Sequence, residues 1–159
     1  MGSRSKINLA YIAGFLDGDG SLMLQIKKRK DGRSRRRFMA TICFYQDSRH
    51  EKTLFWIKNE LNIGYISRRN DGITELRING YRQVNEIIKR LWPFIRFKLK
   101  QARALYQATS ILISDESKSL SRRQLIKLID LILTIQCENY VTRRKKTRLE
   151  LMKILDLTP

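Results

Sequence analysis

The sequence predicts an α+β domain in which an αββαββα unit is followed by C-terminal helices. Four short segments alternate between apolar and other side chains and fall into two hairpins, while apolar residues elsewhere recur at helical spacing. The chain has 159 residues and no Pro-, Gly- or Ser-rich linker, so a single domain is expected over 1–159. We assign its αββαββα core to 7–97 and its support helices to 98–159.

The first helix and the first hairpin follow each other directly. Asn8 is expected to cap a helix that ends at the glycines Gly18 and Gly20. Residues 21–27 and 37–45 then alternate in the manner of half-buried strands. The basic stretch between them is therefore the connection of a hairpin.

The second helix, second hairpin and third helix complete the core. Ser48 is a suitable cap for a helix that runs to Leu61. Strands are predicted at 64–69 and 73–79, joined by a turn, and a helix at 81–91 ends before Pro93. The C-terminal helices are predicted at 98–113, at 121–136 with a capping box from Ser121 to Gln124, and at 142–155.

Charge is the most informative feature of the composition. The chain has 33 Lys and Arg against 15 Asp and Glu, a net charge of +18, which exceeds what solubility requires and indicates a polyanionic partner. The surplus is concentrated at 27–37, which we expect to contact nucleic acid. A second basic cluster at 143–148 is explained equally well by contact or by a solvated face.

Other classes of protein are disfavoured by what the sequence lacks. No apolar run approaches the roughly 18 residues that cross a bilayer, and the N-terminus does not resemble a signal peptide. We therefore expect an intracellular protein with no membrane partner, in a prokaryotic cytoplasm or an organelle matrix. Cys43 and Cys137 stand in no metal-ligand spacing.

A small-sided helix that ends in two acids is the most specific feature of the chain. Ala10, Ala13 and Gly14 lie three to four residues apart, so they share a face that a second backbone can approach. Asp17 and Asp19 lie at the negative end of the helix dipole, where a carboxylate is disfavoured. Packing within one domain is the commoner explanation of such a helix, but it leaves the paired acids unexplained.

Pairing two such helices would account for the acids. Two copies of Asp19 would converge, and divalent cations between them would relieve their repulsion. Carboxylate, phosphate and water oxygens suit Mg²⁺, which in such a site polarises a phosphate and activates water. Hydrolysis of a phosphodiester is the reaction that this arrangement favours.

The stretch Ile12-Ala13-Gly14-Phe15-Leu16-Asp17-Gly18-Asp19-Gly20 resembles the LAGLIDADG motif of homing endonucleases, here in a single copy. The resemblance implies a homodimer through the motif helices, with Ala10, Ala13, Gly14 and Asp17 at the interface. Each unit would lay a curved four-stranded antiparallel sheet into the major groove of double-stranded DNA. The implied activity is cleavage of both strands of a long palindromic or pseudo-palindromic site by an intron-encoded homing endonuclease.

The resemblance also implies the metal site. Asp19 corresponds to the metal-binding acid, the backbone carbonyl of Gly18 is a second contributor, and Asp17 caps or orients the turn. Two or more Mg²⁺ ions are expected per dimer, with Mn²⁺ as a substitute and Ca²⁺ supporting binding without efficient turnover.

Three further residues correspond to catalytic positions of single-motif relatives. Gln46 matches a residue that organises the catalytic water, and Lys98 matches an active-site lysine. His50, beside Arg49, stands where close relatives carry arginine. A neutral histidine positions water but supplies less fixed positive charge than arginine.

The strand faces that point away from the core are expected to read bases. Arginine and glutamine suit guanine and adenine, and Met, Thr and Cys suit thymine methyl groups. We expect DNA contacts from the hairpins and the connection between the first two strands, namely Met23, Gln25, Lys27, Arg29, Arg33, Arg35, Arg36, Arg37, Met39, Thr41, Cys43, Ser67, Arg69, Glu75 and Arg77.

Two alternatives remain open at this point. An RNA-binding intron maturase of the same fold would bind intron RNA, although the retained Asp19, Gln46 and Lys98 argue against a lost cleavage site. A non-catalytic basic nucleic-acid-binding protein, structural or a repressor, would explain the charge of +18. It would have no need for acids at the end of a small-faced helix.

Overall fold

The computed structural model describes residues 3–28, 36–114, 119–139 and 144–157. Short 3-10 turns lie at Ser48–His50 and Trp92–Phe94. The helices and strands, in chain order, are α1 Ser3–Asp19, β1 Gly20–Lys28, β2 Arg36–Asp47, α2 Lys52–Leu61, β3 Tyr65–Arg68, β4 Ile73–Asn79, α3 Tyr81–Leu91, α4 Leu99–Ser114, α5 Arg122–Glu138 and α6 Arg148–Ile154. The predicted αββαββα order and the C-terminal helices are confirmed.

The four strands form one antiparallel sheet in the order β1-β2-β4-β3. Strand β1 pairs with β2 from Gly20 opposite Phe44 to Lys28 opposite Arg36. Strand β2 continues beyond β1 and pairs with β4, so the long second strand joins the two hairpins. The α+β fold class with a four-stranded antiparallel sheet is therefore confirmed.

One hydrophobic cluster extends from Leu9 in α1 to Met152 in α6. The predicted inward faces of the strands contribute to it, and Phe44, Leu76 and Ile78 are fully buried. The sheet thus has one face against the helices and one face directed away from them. Within the described ranges, no helix has the length and apolar character required to cross a membrane.

The first helix begins earlier than expected. Asn8 does not cap it, because α1 already starts at Ser3 and Asn8 lies within the helix. The Asn8 side chain instead donates a 2.8 Å hydrogen bond to a carboxylate oxygen of Glu60 in α2. A partner 52 residues away cannot be read from the local pattern.

The start of the second helix also differs from the prediction. The side chain of Asp47, not of Ser48, accepts the backbone N–H of Arg49, and a 3-10 turn intervenes before α2. The hydroxyl of Ser48 bonds to that of Thr74 in β4 at 2.8 Å. Asp47 therefore caps the turn, whereas the hydroxyl of Ser48 is engaged by Thr74, which is distant in sequence.

The C-terminal helices differ in length from the prediction. The capping box of Ser121 and Gln124 is present, and α5 continues to Glu138. The last helix is confined to Arg148–Ile154, with a capping box from Thr147. Its predicted first residues, 142 and 143, lie outside the described residues.

Candidate active site and nucleic-acid interface

One side of α1 is exposed and built from small residues. Ala10, Gly14 and Gly18 are exposed and lie four residues apart, which aligns them on one side of the helix. A Cβ atom added at Gly14 or Gly18 would meet no atom of the described chain within 4 Å. Ile7 and Tyr11 flank them and are 65% and 54% exposed. The packing of this chain on itself therefore does not explain the glycines.

Two residues expected at the dimer interface lie inside the chain instead. Ala13 is fully buried and Asp17 is 8% exposed. Both residues lie toward the core side of α1. With 3.6 residues per turn, their positions in the sequence place them on a different side of the helix from Gly14 and Gly18. Of the residues expected at the interface, Ala10 and Gly14 lie on the exposed side of α1, together with Gly18 and the flanking apolar side chains.

Asp17 fixes the segment that precedes α4. Its carboxylate accepts three backbone N–H groups, from Arg96 at 2.6 Å, Phe97 at 3.2 Å and Lys98 at 3.0 Å. These donors stand just before the first helical residue of α4, where N–H groups lack helical partners. Asp17 thus connects the end of α1 to the start of α4.

Lys98 occupies the junction between these two helices. The residue is buried, and its ammonium group donates a hydrogen bond of 2.5 Å to the backbone carbonyl of Asp17. Burial lowers the pKa of Lys98, and the charges of Asp17 and Asp19 oppose that shift. A positive charge at the C-terminus of α1 compensates the negative end of the helix dipole.

Asp19 is the last residue of α1 and is exposed. The next residue must be small, because a Cβ atom at Gly20 would lie 2.6 Å from the Leu16 side chain and 2.7 Å from its carbonyl oxygen. Among the described residues, no group of three His, Cys, Asp or Glu side chains forms a metal site. At the end of α1, a single chain therefore supplies one exposed acid, Asp19, which fits a hard cation only if a second chain, phosphate or water completes the ligands.

Gln46 lies near the end of β2, and His50 lies in the 3-10 turn that follows this strand. Gly20 pairs with Phe44, so Gln46 lies two residues further along β2, toward the end of α1. Its side-chain oxygen accepts the backbone N–H of Asp47 at 2.8 Å. His50 is exposed in the 3-10 turn.

Arg49, the residue before His50, is held by an ion pair that the sequence did not indicate. The guanidinium of Arg49 donates two bonds to the carboxylate of Asp47, at 2.9 and 2.8 Å. These bonds hold the pKa of Asp47 well below its usual range and raise that of Arg49. A guanidinium is therefore present beside His50, although not at the position where the resemblance implied one.

Several residues expected to contact DNA are buried in this chain. Thr41, Cys43 and Glu75 are 1%, 0% and 3% exposed. Thr41 donates to the side chain of Asn79 at 2.7 Å, and burial raises the pKa of Cys43 to about 11. Alternation along the strands places them opposite the core residues, as predicted, but they are not accessible in this chain.

The remaining candidates divide into two groups. Arg29, Arg33 and Arg35 lie outside the described residues. Partly or fully exposed side chains belong to Met23, Gln25, Lys27, Arg36, Arg37, Met39, Ser67, Arg69 and Arg77. Of these, Arg36 forms a 3.4 Å ion pair with Asp156.

Glu75 organises two arginines on the outward face. Its carboxylate accepts Nε of Arg77 at 2.6 Å and a terminal nitrogen of Arg69 at 3.3 Å. Arg69 also forms a 2.5 Å ion pair with Asp71. The sequence offered one unused signal for this cluster, an acid two residues before an arginine on the same strand face.

Comparison with known proteins identifies the family. The family model of the LAGLIDADG endonuclease matches residues 12–103, more than half of the 159-residue chain. The chain belongs to the LAGLIDADG endonuclease family. The matched range begins within α1 and ends in the first turns of α4. It therefore includes Asp19, Gln46 and Lys98.

Two curated relatives of this LAGLIDADG chain are named as DNA endonucleases. DNA endonuclease I-CvuI of Chlorella vulgaris is 28% identical over 102 residues, covering 64% of this chain and 63% of its own. DNA endonuclease I-CreI of Chlamydomonas reinhardtii is 29% identical over 98 residues, covering 62% and 60%. The match thus spans about three fifths of each relative.

Solved structures of homing endonucleases share the fold over nearly the whole chain. The crystal structure of I-CvuI in complex with its target in the presence of Ca matches with a TM-score of 0.83 at 22% identity, covering 99% of this chain and 100% of that one. The archaeal intron-encoded I-Vdi141I in complex with DNA matches with a TM-score of 0.80 at 22% identity, covering 94% and 95%. Helices α5 and α6 therefore belong to a fold shared with these proteins, although they lie outside the matched family range.

Proposed function

We propose that this chain is a site-specific homing endonuclease that hydrolyses both strands of a palindromic or pseudo-palindromic DNA target as a homodimer. The observation that carries the proposal is the exposed Asp19 beside the buried Lys98, at the end of a helix with an uncovered small-residue side. The named DNA endonucleases of the family, and the DNA in their solved structures, support it.

Dimerisation through α1 gives the exposed glycines a purpose. If Ala10, Gly14 and Gly18 of one protomer face the same residues of its partner, the two backbones approach closely and cover Ile7 and Tyr11. The two copies of Asp19 then lie near one another at the same end of the helix pair. A two-fold axis between the protomers makes the two half-sites of the DNA equivalent, which is the origin of the palindrome.

The two Asp19 carboxylates of the dimer would suit Mg²⁺, a hard cation that prefers oxygen ligands, and such an ion would supply Lewis-acid activation of a phosphate and of water. Asp19 is the residue that holds it, and the backbone carbonyl of the neighbouring exposed Gly18 is the second contributor. Mn²⁺ is expected to substitute, and Ca²⁺ to support binding without efficient turnover.

The side chains around Asp19 have separate tasks in this proposal. Lys98, anchored on the carbonyl of Asp17, supplies positive charge toward the phosphate on which negative charge develops. Gln46 orients the attacking water through its amide group. His50 assists in positioning water, with the guanidinium of Arg49 nearby.

A cleavage selection tests the function and finds the target sequence in the same experiment. Plasmids carrying randomised palindromic inserts are incubated with the purified protein in Mg²⁺, and the newly formed ends are sequenced. We expect one family of related inserts to be cut, and none to be cut by Asp19→Asn. Absence of metal-dependent cleavage by the wild-type protein, together with preferential retention of structured RNA over duplex DNA, would favour the maturase instead.

The cellular location follows from the same proposal. A chain that cuts DNA and whose cysteines, the buried Cys43 and the exposed Cys137, are both free is expected inside a cell, in the cytoplasm of a prokaryote or the matrix of an organelle.

A further inference from the structure

A buried carboxylate lies on the sheet face that meets DNA in the proposed function. Glu75 stands in β4 between Tyr45 of β2 and Ser67 of β3, on the outward side of the sheet. It is 3% exposed in a chain whose net charge is +18. An acid at this position opposes the binding of phosphates, so it must serve another purpose than contact with the DNA backbone.

The hydrogen bond to Glu75 uses only the Nε nitrogen of Arg77 and leaves its two terminal nitrogens available to contact a base. Glu75 accepts the Nε–H group of Arg77 at 2.6 Å, so among the described residues both terminal nitrogens of that guanidinium are left as donors. Two parallel donors are what the O6 and N7 atoms of guanine accept in the major groove. The Arg77 side chain is 33% exposed, which leaves its guanidinium accessible to a base while its orientation is held.

Arg69 is held from two sides by the same cluster. One terminal nitrogen donates to Glu75 at 3.3 Å and the other to Asp71 at 2.5 Å. The two arginines therefore share one carboxylate. A long flexible arginine without such a partner would reach the nearest phosphates, which carry no sequence information.

We propose that Glu75 is a positioning residue that sets sequence specificity: it orients Arg77 to read a guanine and keeps Arg69 and Arg77 off the phosphate backbone. Glu75 itself does not touch DNA. Because both arginines depend on one carboxylate, the bases that they read are coupled. This inference rests on the proposed function, since it assumes that the outward face of the sheet lies in the groove.

Glu51, which precedes α2, provides a matched control on the other face of the same hairpin. Glu51 accepts two bonds from the Arg68 guanidinium, at 2.9 and 2.7 Å, and one from Thr74 at 2.8 Å. Arg68 and Thr74 neighbour Ser67 and Glu75 along their strands and point to the opposite side. Glu51→Gln therefore disturbs an acid–arginine cluster of the hairpin without touching the face that reads bases.

The experiment is a binding selection from randomised duplex DNA in Ca²⁺, so that cleavage does not consume the bound sites. The full-length wild-type protein, Glu75→Gln and Glu51→Gln are compared by the base preference at each position of the enriched site. We expect a guanine position in each half-site whose preference falls about tenfold or more in Glu75→Gln, the discrimination that one arginine–guanine pair supplies. The salt dependence of nonspecific binding should steepen, by about one unit for each freed arginine that reaches a phosphate. Glu51→Gln should leave both quantities unchanged.

A second variant covers the case in which Glu75→Gln fails to fold. Arg77→Lys keeps the charge but lacks Nε and the two-donor fork, so the same guanine position should lose its preference while affinity for other DNA is kept. An unchanged guanine position in Glu75→Gln or Arg77→Lys, or an equal loss at all positions, would overturn the inference while leaving the endonuclease proposal intact. If the wild-type protein enriches no site at all, the proposed function itself is overturned, and the inference with it.

Discussion

Replacing Asp17 or Asp19 with asparagine should separate stability from cleavage. The two acids are two residues apart in the motif, yet their surroundings differ. Asp17 is 8% exposed and accepts three backbone N–H groups, whereas Asp19 is exposed at the end of α1. We expect Asp17→Asn to destabilise the fold and Asp19→Asn to abolish cleavage in a protein of normal stability.

The size of the Asp17 effect follows from its bonds. One carboxylate oxygen accepts Arg96 and Phe97, and the other accepts Lys98. Asparagine keeps one oxygen and presents an N–H group to the remaining donor, so at least one bond to a charged acceptor is lost. The cost is about 2–3 kcal/mol of the free energy of unfolding, which lowers Tm by roughly 4–12 °C for a domain of this size. Asp19→Asn, at an exposed position, should change stability by about 0.5 kcal/mol or less.

The assay combines unfolding with cleavage on the same preparations. Thermal and urea unfolding give the stability of each variant, and cleavage in Mg²⁺ and binding in Ca²⁺ are measured well below the Tm of Asp17→Asn. Asp19→Asn should bind the target normally and cut it slower by orders of magnitude. A wild-type Tm for Asp17→Asn, or a near wild-type cleavage rate for Asp19→Asn, would refute this division of roles.

Three further predictions follow from exposed and buried positions. Gly14→Leu should leave the stability of the monomer unchanged or raise it by up to about 1 kcal/mol, since glycine within a helix is unfavourable. Sedimentation should nevertheless show that this variant is a monomer. A dimer of normal activity would contradict an interface through α1. Lys27 and Arg37 are exposed and paired in the first hairpin. The double variant Lys27→Gln with Arg37→Gln should lower the slope of DNA affinity against salt by about one unit per lost phosphate contact. An unchanged slope would contradict this prediction. Iodoacetamide at pH 8 should modify exposed Cys137 but not Cys43, whose pKa is raised from 9.0 to about 11. The folded chain keeps the Cys43 proton that the unfolded chain loses, so its contribution to stability is present below pH 9 and lost as pH rises to 11, a loss that Cys43→Ala should remove.

The predicted elements that the structure reproduces are those fixed by local pattern. The strand at 73–79 and the helix at 81–91 have the observed bounds, because alternation and helical spacing change sharply between them. The capping box at Ser121 is likewise contained within four residues. Asn8 and Ser48 were assigned wrongly, since their partners Glu60 and Thr74 are distant in sequence.

The candidate site residues that belong to the family motif could be predicted from the sequence. The exposure of the residues on the sheet could not, because it depends on packing. The motif located Asp19, and the family spacing located Lys98, which the structure indeed brings near Asp19. The period of two assigned Thr41, Cys43 and Glu75 to the outward face correctly. Alternation alone does not predict that these three residues are buried, because exposure depends on which side chains stand on adjacent strands.

The bonds of Asp17 also imply that dimerisation and assembly of the active site are linked. The helix whose outer side is proposed to pair with its partner is the helix whose last turn holds Lys98, through the carboxylate and the carbonyl of Asp17. Any shift of α1 that separates the two protomers therefore also moves the anchor of Lys98 and the position of Asp19. A monomer would not simply be half an enzyme with a formed site, because its lysine would be fixed relative to one acid only. In the proposed dimer, the pairing of the helices would set the distance between the two acids and, through the bonds of Asp17, the placement of both lysines.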